Sequence, residues 1–284
     1  MTHVENNAFA DSSTSKVGPV HGGLSSLGKA AVKEMNRIGQ SSRALTSRYR
    51  TVTDATPGMM VDLSHVSPEA AKQALKCTLA PVMFSHSNAR GIFDCPRNVP
   101  DSILDLVPAN KGIVMVTFVP EHLAARRSEA TMDMLLDHLF YIASRIGWEH
   151  VGLGSDFDGR FRRCFCSAVH NVSNAFVGIA SVIPGLEDCS AFPHLLKAIL
   201  DRGATEQQLA LVAGENILRV WTEVAQVSQS MQEEGVAPVE DVWEGRKFWR
   251  YDGFYQMADP DPEDKLGLDW YGVKPPEEGL YHDE

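Results

Sequence analysis

Four short apolar runs constrain this chain more than any other feature. They are Gly58 to Ser64 (GMMVDLS), Pro81 to Ser85 (PVMFS), Ile113 to Phe118 (IVMVTF) and His150 to Ser155 (HVGLGS). Each has strand length and is apolar on both faces, as in a strand covered from both sides. Helix signals fall around them. Leu27 to Ile38 repeats Leu27, Ala31, Met35 and Ile38 at helical spacing. Ser67 opens S-P-E-A, an N-cap with Pro at the first helical position and Glu in the first turn, and predicts a helix to about Cys77. Further helices are expected around Met132 to Ile146, over Ala191 to Asp201, and over Thr205 to Gln226 behind the capping box T-E-Q-Q. Apolar strands alternating with helices predict an α/β fold with a parallel sheet covered by helices, either a β/α barrel or an open doubly wound sheet.

Composition narrows the function classes. The chain has 284 residues, enough for one large domain or two small ones. A formal net charge of −11 argues against a nucleic-acid partner, which needs concentrated Lys and Arg. No apolar run approaches the ~18–20 residues of a membrane span. Met1 to Ser15 is polar and does not read as a secretory signal, so a cytoplasmic address is the default expectation. Cys77, Cys95, Cys164, Cys166 and Cys189 are odd in number and scattered, unlike a disulfide framework. The Cys164-x-Cys166 pair has no second pair to make a zinc knuckle. Asn171-Val172-Ser173 fits a glycosylation acceptor but carries little weight without a signal peptide.

Two segments interrupt the pattern. Gln40 to Pro57 stands between a helix and the strand it should feed, and Arg160 to Gly178 follows the fourth strand. Connections in such folds usually run ~2–6 residues, so both read as insertions. From about Gln229 the sequence turns acidic and rich in Pro and aromatics. The expected organisation is a domain over 1–228, with insertions at about 40–57 and 160–178, and an irregular arm over 229–284.

Three of the four strands end in chemistry-bearing groups: D-L-S-H-V-S at His65, F-S-H-S at His86, and G-S-D-F-D-G at Asp156 and Asp158. Functional groups in parallel barrels sit at strand C-termini, where the βα loops surround a pocket. One strand-end histidine is usually structural. Two on successive strands, with an aspartate at the same level, point to a metal site, since imidazole is a preferred zinc ligand.

The segments Met59 to Ser67, Ala80 to Ser87, Cys95 to Pro100 (CPRNVP), Val151 to Gly159, Gly185 to Asp188 (GLED) and Glu215 to Val220 (ENILRV) resemble the membrane (renal) dipeptidase family. The match begins at Met1 to His3 and runs in order to about Gln226. The family comprises zinc peptidases within the amidohydrolase-like barrels. The resemblance implies that His65 and His86 ligate one zinc of a two-zinc site. It implies that His3 polarises the scissile carbonyl and that Arg97 holds the free carboxylate of a small dipeptide. Asp156 would handle a proton and the substrate's amino end. Each also has a bland reading: Arg97 as a loop residue, Asp158 as a turn residue, His3 as a terminal residue out of position. His21, His122, His138, His150, His170, His194 and His282 lie in no motif and are expected in surface or core.

The resemblance covers only the C-terminal half of that family's barrel. No H-x-D pair occurs in the chain, and nothing in it supplies the glutamate that bridges the metals. Two histidines fall short of the three protein ligands of an ordinary catalytic zinc site, so weak metal binding and low or absent hydrolysis are expected. A complete (β/α)8 barrel takes ~250 residues, so a C-terminal portion lacking the first strands would leave sheet edges open to self-association. Removing the two insertions joins R-I-G to M-M-V-D-L-S-H and S-D-F-D-G to I-A-S-V-I-P-G-L-E-D. The expectation is that both are translated intervening sequence and Met1 an internal start. The leading reading is a metal-dependent dipeptidase. The second is a non-catalytic remnant or interaction partner. A third, a related deaminase or lactonase, fits Arg97 less well, because that residue favours a carboxylate-bearing substrate.

Overall fold

The protein is described by a computed structural model that covers residues 1–38, 58–157 and 183–240. All four apolar runs form strands: β1 (Val61–Asp62), β2 (Val82–Phe84), β3 (Ile113–Val116) and β4 (Val151–Leu153). They pair in the order β1-β2-β3-β4, and every pair is parallel.

The helices begin where the capping residues require. Ser25 caps α1 (Ser26–Arg37) by accepting from the Gly28 N–H. Ser67 caps α2 (Pro68–Cys77) by accepting from Ala70, with Pro68 in the first turn and Glu69 facing the positive helix end. Two single turns, α3 (Asp101–Leu104) and α4 (Val107–Asn110), precede β3. Thr131 caps α5 (Met132–Ile146), and Gly147 ends it at φ 95°, a left-handed conformation that glycine tolerates best. α6 is Phe192–Asp201. The expected capping box at Thr205 and Gln208 opens α7 (Glu206–Ala210). A wide π turn at Leu211–Glu215 then leads into α8 (Asn216–Glu233).

The register divides the sheet into two faces. Val61, Val82, Phe84, Val114, Val116 and Val151 point to one side and pack with Ala70, Ala74, Leu104, Leu135 and Leu139 in the main core. Asp62, Met83 and Ile113 stand in one row on the other side, with Met115 and Gly152 in the next. A stripe from α8 (Ile217, Val220, Val224 and Val227) meets that second face at Met60, Ala80, Met83, Ile113 and Met115. α8 crosses beneath the starts of the strands. The Asn216 amide donates to Val151 O at 2.8 Å, Arg219 to Lys111 O at 2.7 Å, and the Ser228 hydroxyl to Arg37 O at 3.0 Å. A side chain at Gly58 would stand 2.6 Å from Val224 O, so only glycine fits there. One end of the sheet is thus closed by α8, and the strand C-termini remain for chemistry.

Two sequence expectations need adjustment. The last helix continues to Glu233, past both Gln226 and the boundary at 228, because Ser228 and Met231 are buried and Ser228 and Gln232 bond the end of α1. It is also interrupted at Leu211–Glu215 rather than continuous. Both insertions, Asp158, Cys164, Cys166, His170, Asn171 and His282, and the arm beyond Glu240 lie outside the described residues. Among the described residues no helix is long and apolar enough to cross a membrane.

Candidate functional site

The C-terminal ends of β1 and β2 are stitched together by a polar network built on Asp62. Its Oδ1 accepts from the backbone N–H of Ser64 at 2.9 Å and of Ser85 at 3.1 Å. Its Oδ2 accepts from the Ser85 hydroxyl at 2.6 Å. The Ser64 hydroxyl accepts from the His86 N–H at 3.0 Å and meets Ser87 Oγ at 3.1 Å. These bonds hold the residues after each strand at a common level. The two imidazoles then face one another, with His65 Nε2 and His86 Nε2 2.8 Å apart.

His3 joins them, its ring centroid 4.2 Å from that of His65. The segment carrying it is fastened to the β1 exit: Ser12 Oγ donates to His3 O at 2.8 Å, and Ser13 N donates to His65 O at 2.8 Å. Arg97 is nearly buried, and its guanidinium reaches His86 O at 3.5 Å. Asp156 follows β4 closely enough for its charge to act on His86 and on Arg97. The approach depends on Gly154, where a Cβ would lie 1.9 Å from Ser85 O. The exits of β2 and β4 therefore touch although β3 lies between them in the sheet.

Backbone strain concentrates at these residues. Among the described residues only His65 (φ 71°), Lys111 (φ 59°) and Asp156 (φ 62°) are non-glycine residues at positive φ. Such conformations cost about 1–3 kcal/mol and persist where surrounding structure enforces them, which is common at functional sites.

The electrostatics favour neutral imidazoles. Burial pushes His65 down to about 2, with the Arg97 cation and the neighbouring rings adding to the effect. Burial also lowers His86, helped by Arg97 and opposed by Asp156 and Asp62. His3 is lowered by burial and then by Arg97. Burial brings the Arg97 guanidinium itself to about 10, against the pull of Asp156. Neutral imidazole is the form that donates a lone pair to a metal or accepts a hydrogen bond.

Sequence reasoning passed over three participants. Asp62 and Ser85 lay inside quoted motifs but had been given no role; the signal was a polar pair on the inward face of adjoining apolar strands. His122 had been set aside with the unassigned histidines. It is nearly buried, burial and then the Arg97 cation push it down to about 3, and its Nδ1 has no hydrogen-bond partner.

The donor chemistry suits a zinc ion, but the number of donors does not complete a site. Two neutral Nε2 atoms converge, whereas a catalytic zinc takes three protein ligands. Among the described residues no group of three or more His, Cys, Asp or Glu is arranged to hold a metal.

A parallel α/β sheet with its ionisable groups gathered at the strand C-termini defines the broad class, and its solved relatives include an amidohydrolase from Pseudomonas aeruginosa. That structure matches with a TM-score of 0.62 and 26% identity, over 80% of this chain and 64% of the other. A Rhodobacter sphaeroides metallopeptidase, solved with a phosphinate mimic of the dipeptide L-Ala-D-Ala, shares the fold at a TM-score of 0.58 and 23% identity, over 77% of this chain and 53% of its own. The chain belongs to the membrane dipeptidase family, peptidase family M19, whose model matches residues 1–175 and 168–235. Dipeptidase tcpJ of Claviceps purpurea is 38% identical over 239 residues, 84% of this chain and 47% of tcpJ. Dipeptidase verJ of Clonostachys rogersoniana is 38% identical over 244 residues, 86% of this chain and 52% of verJ. The chain spans about half the length of these curated relatives.

Proposed function

We propose that this chain carries one side of a metal-dependent dipeptidase site. The observation behind the proposal is the pair of facing Nε2 atoms of His65 and His86, 2.8 Å apart beside the buried Arg97. In this reading His65 and His86 are zinc ligands. In a complete two-zinc site of this kind, the metals supply an activated water and a polarised carbonyl. The chain's own groups do the rest. Arg97 binds the dipeptide carboxylate, for which a planar fork of donors is suited. Asp156 holds the substrate's amino end and takes up a proton, and His3 donates to the oxyanion of the tetrahedral intermediate.

With two converging donors, metal binding is weak and hydrolysis low. The alternative is a non-catalytic remnant acting as an interaction partner. The fold is read as the C-terminal portion of a (β/α)8 barrel; the contact of the β2 and β4 exits across β3 suits a curled barrel wall. That portion runs through the end of α8 at Glu233, and the residues beyond it are read as an appended arm. The reading of 40–57 as an insertion draws support from the Met59 N–H, which donates to Ile38 O at 3.1 Å, so the flanks of that segment adjoin; 160–178 is read as a second insertion.

The test is zinc titration and dipeptide hydrolysis on the purified full chain, alone and mixed with the N-terminal half of a relative. Zinc uptake with chelator-sensitive hydrolysis in the mixture supports the dipeptidase reading. A chain that takes up no zinc and stays inert in both arms refutes it and leaves the remnant.

A further inference from the structure

A cavity of about 20 Å³ lies among the β1 exit, α2 and the loop that carries Arg97. That is room for about one water molecule, which needs ~10–15 Å³. His65, Ser87, Arg97 and Asn98 contribute to its wall.

Two polar atoms of these lining residues lack partners. Asn98 is 2% exposed, and its neighbours fix which end of its amide is which. Nδ2 donates to Phe93 O and to His122 O, both at 2.9 Å, and a carbonyl can only accept. The other end, Oδ1, is therefore an acceptor, and it is buried with no hydrogen-bond partner among the described residues. His65 Nδ1, across the ring from the nitrogen that faces His86, is in the same condition. Buried polar atoms are nearly always satisfied, and where the protein supplies no partner an ordered water does so.

The wall also selects the occupant. Asn98 Oδ1 calls for a donor, which an anion lacks. The Arg97 guanidinium on the same wall opposes a cation. The volume leaves no room for a larger neutral molecule. We infer that this cavity is a water site, in which one ordered molecule donates to Asn98 Oδ1 and bonds His65 Nδ1. Water both donates and accepts, so the assignment holds for either protonation state of His65 and involves no metal. Ser87 Oγ meets Ser64 Oγ at 3.1 Å and keeps capacity for a third bond to the same water. The molecule links the loop carrying Arg97 to the β1 exit. Its value for holding substrate groups rests on the roles proposed above; the water site itself does not.

The experiment is a high-resolution crystal structure of the full chain and of Ala71→Val, with urea unfolding of both. Ala71 is 2% exposed and lines the same cavity, so the added methyl groups take up its space. The expected result in the natural protein is a single ordered peak within hydrogen-bond distance of Asn98 Oδ1 and His65 Nδ1. In Ala71→Val the peak disappears and the urea midpoint falls, because Asn98 Oδ1 is left unpaired. An empty cavity in the natural protein overturns the inference, as does density in which both atoms take protein partners. A raised midpoint in Ala71→Val, the response of a dry cavity being filled, overturns it too. Should that variant not fold, magnetisation transfer from a long-lived water to the Asn98 side-chain amide in the natural chain decides: its presence supports the site and its absence refutes it. A chain that holds this water but neither binds zinc nor cleaves dipeptides keeps the water site and loses the dipeptidase reading.

Discussion

Acid should destabilise this fold in part through a buried histidine on α5. His138 on α5 is fully buried, and its Nδ1 accepts from the Ala89 N–H at 3.1 Å. Burial, opposed by Asp137, brings it from 6.5 to about 4. A base with a depressed value in the folded state is protonated first in the unfolded state. Its contribution is fully present above pH 6.5 and is lost as pH falls toward 4. Each pH unit inside that window costs about 1.4 kcal/mol, so at about pH 5 the loss from His138 is about 2 kcal/mol. That is a sizeable share of a typical total stability of ~5–15 kcal/mol. His138→Asn isolates the effect, because the amide oxygen can still accept from Ala89 but does not titrate. Urea unfolding at about pH 7.5 and about pH 5 should show the variant losing about 2 kcal/mol less than the natural chain between the two conditions. Equal losses would mean that His138 is not held neutral by its surroundings, and the reasoning from burial would fail.

Gly154→Ala places a methyl 1.9 Å from Ser85 O, a backbone atom that cannot swing aside. Overpacking of this kind costs about 1–3 kcal/mol or more, measurable as a lowered urea midpoint, and an unchanged midpoint would show the contact to be loose. Ser67→Ala removes the hydroxyl that accepts from Ala70 at the start of α2, with an expected loss of about 1 kcal/mol in the same assay. Arg97→Met removes the cation that, after burial, holds His3 below its usual range, so the His3 titration midpoint should rise in an NMR titration, and a fall would contradict the placement of the two groups.

Much of this architecture could be read from local signals. Ser67-Pro68-Glu69 marked the start of α2 because capping needs only three or four neighbouring residues, and all four apolar runs contain strands. What escaped depends on contacts between distant segments. The end of α8 at Glu233 is set by Ser228 and Gln232 meeting Arg37, about two hundred positions earlier. Asp62 and Ser85 acquire their relation only when β1 and β2 pair with Asp62 opposite Met83. His3 read as a candidate for terminal disorder because its anchors, Ser12 on its own carbonyl and Ser13 on that of His65, join parts of the chain whose proximity no local pattern reveals.

The charge arrangement at the strand ends bears on how much metal the proposed site could accept. Arg97 supplies one fixed cation, while Asp62 and Asp156 supply two carboxylates, and His3, His65 and His86 are held neutral. Apart from the Met1 ammonium beside Asp62, these groups leave a single negative charge. One divalent ion at the proposed ligands His65 and His86 would reverse that to a single positive charge. A second divalent ion leaves three positive charges in a partly desolvated pocket, where uncompensated charge is costly. Further carboxylates are needed for a two-metal site. Charge, as well as the number of donors, thus argues that the described residues by themselves suit at most one ion.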